Sequence, residues 1–402
     1  MTAPVPAVPV ARALPRPRTE APSPGAGILP APLPSVAFLN WRDLTHPEGG
    51  GSEQYLERIA TGLAARGHAV TVFCADHGGA PRDEVRDGVR FVRRGGRTTV
   101  YLRGLLALRS GLLGRPDVVV DVQNGMPFLS PLVTRRPVVN VVHHVHREQW
   151  PVVFGPVMSR LGWWIESRLA PKVYRRARYV VVSDVTCREV VELGIGAERV
   201  QVVHNGSDPA RRTGAVRSAT PLVTVLGRLV PHKRVELALR AVAELRAELP
   251  DLRLVVMGQG WWDDRLRQVA AELGVEDAVD FLGFVDEEAK HALLTRSWVL
   301  AQPSLKEGWG LSVVEAASHG TPAVAFADAG GLADSIRDDE TGLLVESPEQ
   351  FVQALRRLLV DEVLRARLGH EARAHAADYT WEGAITSFAS LLSCLAPAAR
   401  GR

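Results

Sequence analysis

Two glutamates with seven residues between them mark the most informative stretch of the chain. Glu307 follows a predicted strand on a loop, and Glu315 lies about one turn inside a predicted helix that starts at Gly310 and Leu311. The free amides and positive dipole end of a helix start favour phosphate. A carboxylate one turn inside that helix can accept hydrogen bonds from a ribose diol, and the loop carboxylate can hold other hydroxyls. This arrangement suits a nucleotide-diphosphate sugar.

A second loop carries two cations between a predicted strand and a predicted helix. Its sequence is Gly227-Arg228-Leu229-Val230-Pro231-His232-Lys233. A guanidinium fork and an ammonium point charge at a helix start have a diphosphate as their natural target. In a glycosyl transfer they would stabilise the leaving nucleoside diphosphate. The alternative interpretation is a solvated helix start without a ligand.

The elements that must position these loops alternate regularly. The apolar run 36–40 predicts a strand, the glycines 49–51 a loop, and Ser52 the N-cap of a helix. The longer apolar-aromatic stretch 150–174 predicts a helix. A second series begins with a strand at 222–226 and includes a helix at 263–273. Such alternation predicts two α/β domains, each with a doubly wound parallel sheet, and ligands bind beyond the carboxyl ends of such strands. The cleft between the domains is therefore the expected site.

Changes in composition divide the chain. We expect a disordered Pro/Ala-rich tail at 1–34, which holds ten of the 27 prolines, and a first Rossmann-like, acceptor-binding domain at 35–207. A polar linker is predicted at 208–220 and a nucleotide-sugar-binding Rossmann-like domain at 221–380. A last helix within 381–402 is expected to return to the first domain.

Composition excludes several classes of protein. The residues are 46% hydrophobic and 23% charged, which is typical of globular proteins. No stretch approaches 18 apolar residues, and no apolar run after a basic start predicts a signal peptide. Cys74, Cys187 and Cys394 are odd in number and far apart, so neither a disulfide framework nor a zinc site is indicated. We expect a cytoplasmic protein, with the inner face of the cell membrane left open.

Charge is distributed unevenly. Residues 1–212 hold 28 lysines and arginines against 18 acidic residues, whereas residues 213–402 hold 20 against 27. A basic first half favours an anionic partner: a phosphate-bearing acceptor or an anionic membrane surface. Unpartnered surface charge is the alternative. Arg103, Arg109 and Arg115, interleaved with leucines, predict either a helix lying on a membrane or one packed on its own domain.

Together these segments resemble the retaining glycosyltransferases of family 4, which have the two-domain GT-B architecture. The glutamate pair and the Gly-Arg-x₄-Lys segment are the specific matches. Weaker matches are the glycine loop 49–51, Asn205-Gly206, Gly258-Gln259-Gly260 and the segment 281–285.

The resemblance implies transfer of a hexosyl unit from a UDP- or GDP-sugar to an acceptor hydroxyl, with retention at the anomeric carbon. It implies front-face attack, in which the donor phosphate accepts the acceptor's proton, and no metal ion or other cofactor. Residues expected in catalysis are His143, Glu307, Arg228 and Lys233. Residues expected at the donor are Gly50, Gly51, Arg228, Lys233, Gly258, Val285, Glu307, Gly310, Leu311 and Glu315. His144 and Asn124 are expected at the acceptor, which is a glycan, a glycolipid, another lipid-linked or phosphate-bearing molecule, or a natural product.

Other functions remain as alternatives. A similar fold serves nucleotide-sugar epimerases and sugar phosphorylases, although the spacing of Glu307 and Glu315 argues against both. A non-catalytic two-lobe sugar-nucleotide-binding protein is the non-enzymatic alternative. His143, His144 and His146 could suggest a metal site, but their spacing does not match tetrahedral zinc. No nucleic-acid partner is predicted.

Overall fold

The structure is a computed structural model, which describes residues 33–396. Except for its last two positions, the predicted disordered tail at 1–34 lies outside the described residues. So does the end of the predicted segment 381–402.

The first lobe is built on an eight-stranded sheet with the order β3-β4-β2-β1-β5-β6-β7-β8. All neighbouring strands are parallel except β3 and β4. The strands are β1 Val36–Leu39, β2 Val70–Cys74, β3 Asp83–Arg86, β4 Val89–Arg93, β5 Val118–Gln123, β6 Val138–Val142, β7 Arg178–Val181 and β8 Val200–Val202.

Valine-rich strands form the centre of this sheet. Every residue of β5 and β6 is buried, as expected for parallel strands covered on both faces. The β3–β4 hairpin was not predicted from the sequence, although its turn is Asp87-Gly88 and both turn residues have positive φ. An Asp-Gly turn of this kind is a strong hairpin signal.

The second lobe has a six-stranded, fully parallel sheet with the order β11-β10-β9-β12-β13-β14. Its central strand, β9, has the bounds predicted for it, and β14 was not predicted. The strands are β9 Leu222–Leu226, β10 Arg253–Met257, β11 Val279–Gly283, β12 Val299–Gln302, β13 Ala323–Phe326 and β14 Gly342–Val345.

Helices cover both sheets. In the first lobe they are Gly51–Ala65, Val100–Ser110, Trp150–Val153, Pro156–Trp164, the π-helical turn Ile165–Leu169, Ala170–Val173 and Asp184–Glu192. In the second lobe they are Glu236–Leu245, Asp263–Glu272, Glu287–Arg296, Leu311–Ser318, Leu332–Ser335, Pro348–Val360 and Glu362–Ala376, followed by Trp381–Leu395.

Two helix predictions need correction. The first helix is capped by Gly50 rather than Ser52, because the Glu53 carboxylate accepts a hydrogen bond from the Gly50 amide at 2.8 Å. The stretch 150–174 is not one helix. It is interrupted at 154–155 and contains a π-helical turn.

The chain crosses between the lobes at two adjacent places. The segment 208–220 has no helix or strand, and Ser207 pairs with Thr380 in an isolated bridge. The helix Trp381–Leu395 then packs on the first lobe, where the Phe388 ring lies 5.9 Å from that of Phe38. The helix Trp381–Leu395 thus contributes side chains to the first-lobe core.

Within residues 33–396, no helix is both long and apolar enough to cross a membrane.

Candidate active site

Glu307 is held by donors from its own loop and from the cationic loop. Its Oε1 accepts hydrogen bonds from Lys233 Nζ at 2.5 Å, Ser304 Oγ at 2.7 Å and Gln302 Nε2 at 2.8 Å. The Leu305 amide donates to the His232 carbonyl at 2.8 Å, which ties the two loops together. Glu307 and Lys233, both predicted at the site, are therefore in direct contact, and no described residue donates to the second carboxylate oxygen of Glu307.

This carboxylate stays ionised. Burial by itself would raise the pKa of Glu307, but the Lys233 ammonium and the Ser304 hydroxyl outweigh burial and hold it below its usual range. An ionised carboxylate that can accept hydrogen bonds from hydroxyl groups thus lies beside a cation that can bind phosphate. The sequence could not reveal Gln302 and Ser304, because ordinary polar residues near a strand end carry no signal.

Arg228 lies where the two lobes meet. A Cβ on Gly50 would lie 3.1 Å from Arg228 Nε, and a Cβ on Gly51 would lie 3.9 Å from a Leu311 methyl. The glycine loop of the first lobe therefore faces the cationic loop and the helix start of the second. Gly310 caps that helix with φ +92°, a conformation that favours glycine.

A buried carboxylate that the sequence analysis did not single out supports this contact. Glu53 is fully buried, forms an ion pair with Arg42 Nε at 3.0 Å and accepts a hydrogen bond from the Ser52 hydroxyl at 2.8 Å. Although burial opposes it, the charges of Arg42 and Arg228 keep the pKa of Glu53 low. Its charge partly balances two arginines at the mouth of the cleft.

Glu315 is paired with a lysine from another helix. Lys290 Nζ lies 2.8 Å from Glu315 Oε1 and 2.8 Å from Glu287 Oε1. Burial raises the pKa of Glu315 in spite of this pair. The second Glu315 oxygen accepts no hydrogen bond from the described residues, so it can still accept one from a diol. Lys290 was not predicted, since a lysine near a helix start has no distinctive sequence signal.

His143 is buried against the second lobe. A Cβ on Gly308 would lie 2.3 Å from the His143 carbonyl oxygen, so only glycine allows this approach. Burial lowers the pKa of His143 to about 4, and its Nε2 has no partner among the described residues. A neutral imidazole with a free nitrogen next to the Glu307 loop can hydrogen-bond a substrate hydroxyl.

The two predicted acceptor residues have different hydrogen-bond partners. His144 Nε2 is 3.0 Å from Gln149 Oε1, and its ring lies 4.1 Å from that of His146. Asn124 instead donates to Asn40 Oδ1 at 3.1 Å. Both side chains are half-buried, but no hydrogen bond between described residues joins them.

For two residues predicted at the donor, Gly258 and Val285, the structure shows packing contacts. A Cβ on Gly258, at φ +134°, would lie 1.9 Å from the Gly227 carbonyl oxygen, so Gly258 packs directly under the cationic loop. Val285 follows β11 and packs, half-buried, on the second-lobe core. Gly258 thus supports Arg228 through backbone packing.

In the part of the chain that the structure describes, no group of three or more His, Cys, Asp or Glu side chains is arranged to hold a metal ion. The positive charge in the cleft comes from Arg228, Lys233 and Arg42.

Two parallel-sheet domains with phosphate-suited loops facing each other define a GT-B glycosyltransferase fold. The sequence-family model for glycosyl transferases group 1 matches residues 208–375, and the family model for glycosyltransferase family 4 matches residues 49–211. The chain belongs to this family of group 1 glycosyltransferases and is a glycosyltransferase.

Curated relatives match over different lengths. The chain is 31% identical to a D-inositol 3-phosphate glycosyltransferase of Acidothermus cellulolyticus over 92% of both chains. It is 30% identical to one of Nocardioides sp. over 83% of both. For one of Nocardia farcinica the identity is 35%, but the match covers 54% of this chain and 53% of that protein.

Solved structures share the fold. Sucrose-phosphate synthase from Thermosynechococcus elongatus superimposes with a TM-score of 0.76 at 20% identity, covering 90% of this chain and 99% of that one. Anabaena HepE in complex with UDP and glucose gives 0.71 at 19% identity, covering 90% of this chain and 100% of that one.

Proposed function

We propose that the chain transfers a hexosyl unit from a UDP- or GDP-sugar to a hydroxyl of a phosphate-bearing polyol acceptor, with retention of configuration and without a metal ion. The observation that carries this proposal is the contact of Glu307 with Lys233. It places an ionised hydroxyl acceptor 2.5 Å from a phosphate-binding cation.

In this proposal the cationic residues bind phosphate and the carboxylates bind hydroxyl groups. Arg228 and Lys233 bind the donor diphosphate and stabilise the negative charge that develops as it leaves. Glu307 orients the sugar through its free oxygen. Glu315 receives the ribose hydroxyls, while Lys290 keeps its carboxylate paired.

No protein nucleophile is required. His143 is neutral at pH 7 because its pKa is about 4, so it acts as a hydrogen-bonding group at the sugar. The donor phosphate accepts the proton of the attacking hydroxyl on the same face from which the nucleoside diphosphate departs. The bond between the anomeric carbon and the phosphate oxygen breaks as the new glycosidic bond forms.

Two lines of support favour these substrates. The full-length relatives are named D-inositol 3-phosphate glycosyltransferases, and the basic first half of the chain favours an anionic acceptor. The HepE structures hold UDP, UDP-glucose, or UDP with glucose, which favours a UDP-sugar as the first donor to test.

The test is a transfer assay with the purified chain in EDTA. UDP- and GDP-sugars are combined with inositol 3-phosphate, inositol or no acceptor, and nucleoside diphosphate release is measured. Release with inositol 3-phosphate, and an NMR coupling constant that shows a retained anomeric configuration, are expected. Glu307→Ala should abolish transfer, whereas exposed Glu244→Ala should not change it.

Other outcomes would contradict specific parts of the proposal. Conversion of the donor without any acceptor would favour an epimerase, and a requirement for free phosphate would favour a phosphorylase. Equal rates with inositol and inositol 3-phosphate would contradict the phosphate-bearing acceptor. Full activity of Glu307→Ala would contradict its assigned role.

A further inference from the structure

An unusual apolar surface lies on the first lobe. Large side chains project into solvent from one short segment: Val153, Phe154, Val157, Met158, Leu161 and Trp164, called here the apolar ridge. Val157 is 77% exposed, and Met158 and Trp164 are each 53% exposed. Clustered apolar side chains on a surface, unlike scattered ones, mark an interaction site.

The ridge projects outward because the opposite helix face is fixed. In the helix Pro156–Trp164, Ser159 and Gly162 are buried, and a Cβ on Gly162 would lie 2.5 Å from the Trp150 ring. The Ser159 hydroxyl donates to the Trp150 carbonyl at 2.9 Å. The small residues Ser159 and Gly162 thus pack inward, and the large apolar side chains of the ridge point into solvent.

A stripe of cations continues from the ridge. Arg160, Arg168 and Lys172 are exposed and, with Trp164, recur at four-residue spacing, which places neighbours on one helical face. Arg175 and Arg176 follow and are also exposed. None of these five cations forms an ion pair with a described residue. An apolar ridge beside unpaired cations is the composition of a helix that lies in the interface of an anionic bilayer.

We propose that the apolar ridge and this cation stripe dock the protein onto an anionic lipid membrane. The predicted stripe at Arg103 and Arg109 lies on the same side of the first sheet, since its helix and Ala170 share one core cluster, and Leu102 and Leu106 on it are exposed. The proposed docking surface is therefore formed mainly by the apolar ridge and the cation stripe, whereas the sequence pattern placed the membrane contact on the helix that carries Arg103 and Arg109.

Docking would place the acceptor side of the cleft near the bilayer. Trp150, which packs under the ridge helix, donates through Nε1 to the Glu166 carboxylate at 2.8 Å. Glu166 also accepts from the amide of His146 at 3.2 Å and contacts its ring nitrogen Nδ1 at 3.0 Å. The ridge is thus joined to the histidine segment by direct contacts. This last step rests on the proposed function, whereas the docking does not.

The test is flotation of the full chain with vesicles of phosphatidylcholine containing 30% phosphatidylglycerol, compared with pure phosphatidylcholine. Binding to the anionic vesicles alone is expected. Val157→Asp should abolish it, and Arg160→Glu should weaken it about 30-fold, since it changes the charge by two and each charge near such a surface counts about fivefold. Val363→Asp, at an equally exposed valine, and Arg240→Glu are the matched controls and should bind as the unmodified chain does.

Three results would overturn the proposal: no binding to anionic vesicles, equal binding to neutral ones, or equal loss in the controls. Sedimentation velocity shows whether the ridge instead joins two copies of the chain. A dimer that Val157→Asp converts to a monomer would make the ridge a contact between copies of the chain. Nucleotide-dependent thermal stabilisation of every variant is measured in parallel. Its absence in the unmodified chain would count against the donor site, independently of the membrane result.

Discussion

Replacing Glu307 by glutamine tests how the two phosphate-site loops share charge. The amide oxygen of the variant can still accept from Gln302, Ser304 and Lys233, so the loop should keep its shape. The Lys233 ammonium, however, loses its counter-charge at 2.5 Å. A nucleoside diphosphate would supply that missing charge.

The size of the effect follows from burial. Removing one partner of a fully buried ion pair costs about 3–5 kcal/mol. The side chains of Lys233 and Glu307 are 17% and 14% exposed, and the hydrogen bond survives in part, so we expect about 2 kcal/mol. For a lobe of this size that lowers the unfolding midpoint by about 4–8 °C. Bound diphosphate should restore most of this loss.

The assay is thermal unfolding combined with titration calorimetry in UDP or GDP. Glu307→Gln should be less stable than the unmodified chain without nucleotide. It should bind the diphosphate as tightly or up to about 30-fold more tightly, because about 2 kcal/mol is returned on binding. Transfer should fall about tenfold to a hundredfold, since the sugar hydroxyls lose a charged acceptor.

Glu244→Gln, an exposed change in the same lobe, is the control and should shift neither quantity. If Glu307→Gln were as stable as the unmodified chain and bound diphosphate more weakly, Lys233 would not be shared between the carboxylate and the phosphate. The assignment of Lys233 as a donor-phosphate ligand would then be wrong.

Three further results are expected. Burial lowers the pKa of His143 from 6.5 to about 4, so the folded state resists protonation and the free energy of unfolding decreases as pH falls through this range. Between pH 7 and 4.5, His143→Asn should lose about 2–3 kcal/mol less of this free energy than the unmodified chain, as measured by urea unfolding. An equal loss in both proteins would contradict this. Gly258→Ala should lower the free energy of unfolding by about 3 kcal/mol or more, because its Cβ would collide with the Gly227 carbonyl oxygen. Gly274→Ala, whose Cβ would meet nothing within 4 Å, should lower it by about 1 kcal/mol. Equal decreases in urea unfolding would show that the close approach under the cationic loop does not matter. Lys290→Met should raise the pKa of Glu315 further. In titration calorimetry, nucleotide affinity should then weaken more between pH 8 and pH 6 in this variant than in the unmodified chain, and an equal change in both would contradict this.

The alternation of strands and helices could be predicted because its hydrophobic periodicity is strong. The strand Leu222–Leu226 has the predicted bounds, and the helix Asp263–Glu272 ends one residue before its predicted end. The hairpin strand Asp83–Arg86 was missed, since an exposed edge strand with three charges in four residues has little periodic signal. Trp150–Tyr174 was overextended because an apolar run reveals neither an interruption nor a π-turn.

The site was predictable as far as it lies on short loops. Glu307, Arg228 and Lys233 are given by motifs, and the structure brings them together. Partners that arrive from distant segments could not be found in this way: Lys290 reaches Glu315 across 25 positions, and Gly308 meets the His143 carbonyl across 165. Such contacts depend on how elements pack, which local sequence does not encode.

The returning helix Trp381–Leu395 has a consequence for how the chain is made. Phe388 and Leu392 complete the first-lobe core, and Gly62 leaves room for the Ile385 side chain. During synthesis the first lobe therefore emerges without this helix, and its apolar face stays exposed until the helix Trp381–Leu395 has been made. The second lobe, whose core is contained within 222–368, needs no such late addition. The lobe made second is thus free to fold first, and the lobe made first is completed only after the second lobe has been synthesised.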